Sequence, residues 1–364
     1  MSDQKQSNSS YTTDGKVQHF SKNQEVNAKL AEIIGEKFIA YRKRWDAANR
    51  FELETDFPLF LHLDMNQECN LECPHCIIGH PDLTDEYYSG TRLTWVDYKK
   101  VIDEGHDHQC PSLSVQGNNE PLLNKKLENY IEYAAKRGFI DIMMNTNASA
   151  LTERRARKLL DSGLTRLRFS IDAVNPVTYA KTRVGGDYNK VIRNIERFLD
   201  LKEAGGYKLP ITGVSFCKMA GNENEVAEFF TRWQDKVDIV TIQTFVPPTL
   251  DGDFRQYYAS DQIGTGDTLE KFNCVQPFQR VVIRNYEITP CCSNFGTRLK
   301  IGDLRHDTVY DAWNSPKMKE LRDIHRKGEY HKDPICKQCV DLIYPKSQNE
   351  RIPVALGSSF VGIG

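Results

Sequence analysis

One stretch restricts this chain more than any other: Asp64-Met65-Asn66-Gln67-Glu68-Cys69-Asn70-Leu71-Glu72-Cys73-Pro74-His75-Cys76. Its thiols, Cys69, Cys73 and Cys76, are spaced Cys-x3-Cys-x2-Cys and follow Leu59-Phe60-Leu61-His62-Leu63, an apolar run of strand length. Thiolates are soft ligands that suit zinc or iron-sulfur clusters. Three of them within eight residues can fold onto three corners of one cluster. The fourth iron then has no protein ligand, and an open iron is a place for a small molecule to bind. A zinc knuckle or three separate buried thiols is the alternative. Zinc commonly takes four protein ligands in paired Cys-x2-Cys or Cys-x4-Cys units, so the spacing favours the cluster.

From Phe57 onward, strand-like apolar runs alternate with helix-length amphipathic runs. Strands are expected near 59–65, 112–116, 139–145, 166–171, 211–217 and 237–244, and helices near 94–106, 124–137, 152–162, 187–204 and 222–233. This alternation predicts an α/β fold with a parallel sheet in a barrel or part-barrel. Such barrels carry their chemistry on loops at the carboxyl ends of the strands. The three-cysteine loop follows the first strand, so it belongs to that rim.

At 364 residues the chain exceeds what one core holds, and one large domain with a smaller one is expected. Residues 1–22, rich in Ser, Asn and Gln, read as disordered. Residues 23–56 read as an amphipathic helical extension, 57–245 as the barrel and 246–272 as a linker containing Pro247-Pro248 and Asp251-Gly252-Asp253. Residues 273–345 form a second module, and 346–364 a small apolar tail. A net charge of -2 offers no electrostatic case for nucleic acid or a membrane surface. No span-length apolar run or signal peptide occurs, so the expected location is cytoplasmic. There, ten cysteines are better explained by metal ligation than by disulfides.

The second module begins at Cys274. Gln279 to Thr289 reads as a hairpin around Arg284-Asn285 that delivers Pro290-Cys291-Cys292. A helix is expected from about Thr308 to Lys327, and Cys336-Lys337-Gln338-Cys339 closes the module. Thiolates from Cys274, Cys291 or Cys292, Cys336 and Cys339 can enclose a second metal centre, either an iron-sulfur cluster or a four-cysteine zinc site.

The first cysteine spacing resembles the signature of the radical S-adenosylmethionine (radical SAM) enzymes. Pro290-Cys291-Cys292-Ser293-Asn294-Phe295, Ile301-Gly302-Asp303-Leu304, Ala312-Trp313-Asn314-Ser315 and the terminal Cys-x2-Cys resemble the auxiliary-cluster domain called SPASM or, in short form, twitch. The resemblance implies a (β/α)6 partial TIM barrel with a small C-terminal twitch/SPASM-like iron-sulfur domain. It further implies a site-differentiated 4Fe-4S cluster on Cys69, Cys73 and Cys76 that binds S-adenosylmethionine, and one auxiliary 4Fe-4S cluster on Cys274, Cys291, Cys336 and Cys339.

Cofactor contacts follow from the same resemblance. His75 stands where the family carries an aromatic residue. Gly117-Asn118-Asn119-Glu120-Pro121 is similar to the motif that binds the cofactor's amino group through Gly117 and Glu120, with two Asn where glycine is commoner. Asn147, in Asn145-Thr146-Asn147, corresponds to a turn near the ribose, and Ser170 and Arg183 are placed to hold the carboxylate. An electron donor such as flavodoxin or ferredoxin is implied. The second module is most similar to that of the butirosin-pathway dehydrogenase, which implies oxidation or epimerisation of a hydroxylated sugar-like or aminocyclitol small molecule. Modification of a ribosomal peptide is the alternative within the class, and a non-catalytic zinc-binding interaction protein the alternative outside it. His106-Asp107-His108 mimics a metal site but splays at a helix end, and Cys110 and Cys217 read as core thiols. His80, Asp82, Asp85, Glu86, Tyr87 and Tyr88 lie in the rim loop beyond Cys76, where some could meet substrate.

Overall fold

The structure is a computed structural model that describes residues 9–11, 17–21, 26–80, 82, 92–249, 252–260, 272–293 and 298–343. Its strands are β1 (Ser9–Tyr11), β2 (Val17–Ser21), β3 (Phe60–Leu63), β4 (Ser112–Ser114), β5 (Asp141–Thr146), β6 (Arg166–Ser170), β7 (Ile211–Lys218), β8 (Ile239–Thr244), β9 (Arg280–Arg284), β10 (Glu287–Thr289) and β11 (Gly302–Asp303). They make one open sheet in the order β1-β2-β8-β7-β6-β5-β4-β3-β9-β10-β11. Pairing is parallel from β8 through β3 to β9 and antiparallel outside that block. This is the partial barrel that the alternation of elements predicts, and it does not close.

The helices are α1 (Val26–Ile34), α2 (Glu36–Asn49), α3 (Trp95–Asp107), α4 (Leu127–Lys136), α5 (Glu153–Asp161), α6 (Pro176–Thr182), α7 (Tyr188–Ala204), α8 (Val226–Trp233), α9 (Val309–Trp313), α10 (Pro316–Arg326) and α11 (Pro334–Ile343). Side chains that start helices are of the capping kind: Thr94, Thr152, Asp187 and Thr308 each accept a backbone N–H three residues on.

Each barrel strand has two buried faces. Leu61, Leu63, Leu113, Val115, Ile142, Met144, Leu167, Phe169, Val214, Phe216, Val240 and Ile242 share one core with the surrounding helices. Residues in the opposite phase line the concave side. At the amino ends of the strands that side is closed by α1 and α2, whose Phe38, Tyr41 and Trp45 pack with Phe60, Met143, Ile211, Ile239 and Phe278. Higher up, the lining turns polar and charged.

Two expectations are corrected. Residues 9–11 and 17–21 fall in a segment read as disordered, yet they form a hairpin whose β2 pairs antiparallel with β8. An open sheet leaves the β8 edge with unpaired backbone groups, and a polar segment can satisfy these without an apolar side chain. The hairpin expected over Gln279 to Thr289 forms as β9 and β10, and β9 also pairs in parallel with β3 and extends the barrel sheet. The single helix expected from Thr308 to Lys327 is two. It breaks at Asn314, where Ser315 caps α10 and Pro316 occupies its first turn.

Candidate functional site: a three-thiol rim loop and a second thiol cluster

Cys69, Cys73 and Cys76 are free thiols on the loop that follows β3 at the carboxyl rim. The loop is tied to the rim by backbone on two sides. Glu120 N donates to Glu68 O at 2.8 Å, and Glu72 N to Val184 O at 2.9 Å. A third tie runs to the β5 turn, where Asn147 Nδ2 donates to Asn70 Oδ1 at 3.1 Å and Asn70 Nδ2 donates to Ser149 Oγ at 2.8 Å. Asn147 Nδ2 also lies 3.9 Å from Cys69 Sγ, and an Arg183 NH1 lies 3.7 Å from Cys73 Sγ. Two of the residues expected at a cofactor site therefore border the thiols.

Burial raises all three thiols, Cys69 to about 11 and Cys76 to about 12. Left alone they stay protonated. Coordination deprotonates a thiol outright, so a cationic cluster supplies the charge that this pocket otherwise lacks, and the donor set fits one. Among the described residues no three His, Cys, Asp or Glu side chains converge as ligands of a single ion do. In a cubane each thiolate takes a different iron, so its ligands stand further apart than those of one ion.

Behind the thiols stands a group the sequence reading did not single out. Asp172, after β6, is buried and adopts φ 60°, a left-handed conformation uncommon for a residue with a side chain. Its Oδ2 lies 2.6 Å from an Arg183 NH2 and 3.2 Å from His75 Nε2, and its Oδ1 accepts from Cys217 N at 2.7 Å. The Arg183 contact is a close charge pair rather than an aligned hydrogen bond, since Asp172 Oδ2 has no hydrogen-bond partner by angle among the described residues. Burial alone would raise Asp172; Arg183 and His75 outweigh it and hold the carboxyl below its usual range. One carboxylate thus orients both His75 and Arg183, leaving Arg183 Nε and His75 Nδ1 without hydrogen-bond partners among the described residues.

The remaining expected residues divide. A Cβ at Gly117 would collide with the Asp64 carboxylate, so only glycine fits there, and Gly117 N donates to Asn119 Oδ1 at 3.0 Å. The Glu120 carboxylate is committed inside the protein, accepting from Leu122 N at 3.0 Å, Thr146 Oγ1 at 2.6 Å and Asn147 N at 2.7 Å. Burial still raises its pKa. Ser170 points along the inner face toward Ser215, whose Oγ is 3.4 Å away. His80 approaches Pro74 O at 2.7 Å and Phe254 edge-on. Asp85, Glu86, Tyr87 and Tyr88 lie outside the described residues.

The second cluster draws on separate segments. Cys274 precedes β9, Cys291 and Cys292 follow β10, and Cys336 and Cys339 lie on α11. Burial, and then the proximity of Asp333, Cys274, Cys339 and Cys291, drive the Cys336 thiol far upward. His325 on α10 joins them: its Nδ1 accepts from Cys274 N at 3.4 Å and its Nε2 lies 3.4 Å from Cys336 Sγ. Burial lowers His325 to about 4, so its ring is neutral. Nothing in the cysteine spacing signals His325, whose position depends on how α10 meets α11. The decoys are structural: His106 approaches Arg137 O at 2.6 Å, and His108 stacks on Phe57 and Tyr310.

Residues 65–213 match the family model of the radical SAM superfamily, and residues 274–340 match the SPASM model, an iron-sulfur cluster-binding domain. A probable GTP 3',8-cyclase of Methanococcus maripaludis is 26% identical over 292 residues, which is 76% of this chain and 95% of the relative. A protein of the same name from Methanocaldococcus jannaschii is 27% identical over 300 residues, covering 78% and 95%. Among solved structures, native anSMEcpe with bound AdoMet superposes with TM-score 0.57 at 16% identity, covering 84% of this chain and 96% of that one. Streptococcus suis SuiB bound to S-adenosylmethionine gives 0.50 at 16% identity, covering 80% and 76%. These likenesses extend to the fold.

Proposed function

Because this chain belongs to the radical SAM superfamily and carries a SPASM domain, its chemistry is that of 4Fe-4S clusters with S-adenosylmethionine, and we propose that it abstracts hydrogen from a hydroxylated, sugar-like small molecule. When bound, the rim cluster and S-adenosylmethionine supply a 5'-deoxyadenosyl radical by one-electron cleavage of a carbon-sulfur bond. The electron comes from a small reduced carrier such as flavodoxin or ferredoxin. Among the described residues no helix is long and apolar enough to cross a membrane, and we assign the protein to the cytoplasm, where such carriers and reduced thiols are found.

This chain's residues then have these roles. Cys69, Cys73 and Cys76 hold the rim cluster. Asp172 fixes Arg183, whose unpartnered Nε and planar fork, with Ser170, receive the cofactor's carboxylate. His75 is held against the same cofactor by Asp172. Gly117 exposes backbone to the cofactor's amino group. Glu120, its oxygens engaged by Thr146 and Asn147, positions Asn147 for the ribose. Cys274, Cys291, Cys336 and Cys339 hold one auxiliary cluster.

The observation that carries the substrate reading is the lining of the concave face. Ser114, Gln116, Asn145, Ser170 and Ser215 present hydroxyls and amides where an apolar ligand would need aliphatic side chains. Cys274, Cys291, Cys336 and Cys339 would hold a cluster able to take up an electron, which would make the outcome oxidation, or epimerisation where hydrogen is returned. A second reading has one observation in its favour: the curated relatives matched over most of their length are named GTP 3',8-cyclases, and 3' is a ribose carbon. Anaerobic, reduced enzyme incubated with sugars, aminocyclitols, GTP and peptides tests both. Substrate-dependent 5'-deoxyadenosine with a product lighter by two hydrogens supports oxidation; a ring-closed isomer of GTP supports the second reading. Turnover of peptides alone sinks both.

A further inference from the structure

Of the arginines on the described part of the concave face, Arg166, Arg284 and Arg280 each have at least one side-chain partner, although Arg166 NH1 and Arg280 Nε and NH1 are also buried without a hydrogen bond. Arg166 pairs with both oxygens of Asp141 at 2.7 and 2.9 Å. Arg284 Nε donates to Asp64 Oδ2 at 3.1 Å. Arg280 lies over Trp45 and Phe60, 5.4 and 5.0 Å from the ring centres, and donates to Gln279 Oε1 at 2.9 Å. Arg168 is different. It is 4% exposed, and among the described residues it makes no hydrogen bond, ion pair or ring contact; one of its NH2 nitrogens is sealed from solvent without a partner.

A buried guanidinium with no counter-charge is destabilising, and its neighbour two residues away on the same face, Arg166, is a like charge. Burial first, and Arg166 second, push Arg168 down to about 9, the direction of a cation short of a partner. Arg168 registers with Asn145 of β5 and with Gly213 of β7, a position that brings no side chain up beside the Arg168 stem. Arg168 lies two residues below Ser170, about 6.6 Å deeper along the strand. A small molecule that reacts at the rim reaches that depth with one substituent.

Resting on the reading of a small-molecule substrate, we propose that Arg168 is the seat of an oxyanion on that substrate, a carboxylate or phosphate, bound inside the barrel below the cofactor layer. The planar fork suits either group, with Asn145 a neutral donor beside it.

The test uses anaerobically reconstituted holoenzyme with S-adenosylmethionine present, and follows thermal unfolding against inorganic phosphate or acetate at constant ionic strength held with chloride. Wild type should gain about 2 °C at about ten times the dissociation constant of the favoured anion, and more at higher concentration. Phosphate acting more strongly indicates a phosphorylated substrate, and acetate a carboxylate. Arg168→Met should unfold at higher temperature than wild type without anion, because an unpaired buried cation is gone, and should lose the anion-dependent gain. Arg168→Lys, which keeps the charge without the fork, should retain a gain with at least about tenfold weaker affinity. No anion effect in wild type, an undiminished one in Arg168→Met, or equal affinity in Arg168→Lys overturns the site. Formation of 5'-deoxyadenosine by the same wild-type preparation separates the two levels of inference. Its absence defeats the proposed function, whereas its presence without an anion effect defeats only the Arg168 seat.

Discussion

The two thiol clusters of this protein are built in opposite ways. At the rim, three cysteines lie within eight consecutive residues on one loop, and the charged groups around them, Asp172, Arg183 and His75, come from neighbouring elements. In the second cluster the cysteines come from three separate segments, before β9, after β10 and on α11, with His325 between two of them. A metal at the rim organises one loop already tied by backbone at Glu68 and Glu72. A metal in the second cluster ties distant chain segments together, as a crosslink does. Under the proposed ligand sets the rim keeps a position open for chemistry, and a metal in the second cluster would add folding energy as well.

Removing one ligand from each cluster gives the largest test. Cys76→Ala should cut 5'-deoxyadenosine formation by at least about 1000-fold while global unfolding changes little. Iron should fall from about eight to about four per chain. Cys336→Ala should lose a similar share of iron and, in addition, on the order of 4 kcal/mol of stability. Chemical denaturation of both variants decides the matter; a larger loss in Cys76→Ala would reverse the comparison.

A smaller effect probes the charged support of the rim. Asp172→Asn leaves the Arg183 guanidinium buried without its carboxylate and should cost about 3 kcal/mol, with weaker S-adenosylmethionine binding. The sign with pH follows from the depressed carboxyl: its contribution is present above the unfolded value near 3.8 and is lost as pH falls through the lower folded value. The gap in stability between wild type and Asp172→Asn should therefore stay level above about pH 5 and close below about pH 4. A gap that widens in acid would show that Asp172 does not act through its charge. The smallest effect belongs to α10, which carries His325. Ser315→Ala removes its cap and should cost about 1 kcal/mol with iron content unchanged, measured by urea unfolding and iron assay.

Much of this architecture is readable from residue order. The six barrel strands and their helices fall within a few residues of the apolar runs, because each run packs one face against helices. The cysteine loop is visible because spacing alone carries it. Arg168 and Asp172 carry a weaker signal. In Arg166-Leu167-Arg168-Phe169-Ser170, polar residues alternate with apolar ones as in a strand with one wet face. That pattern does not distinguish solvent from the interior of a barrel, and here the polar face is the interior. The β1–β2 hairpin carries no apolar signal because what it satisfies is backbone, and His325 depends on how distant helices meet.

The seal made by α1 and α2 across the amino ends of the strands has a kinetic consequence. With that end stoppered by Phe38, Tyr41 and Trp45, we expect substrate and cofactor to arrive from the carboxyl side of the strands, where whatever sits deepest enters first and departs last. Steady-state inhibition patterns should accordingly be those of compulsory order, with the deeper-lying ligand leading.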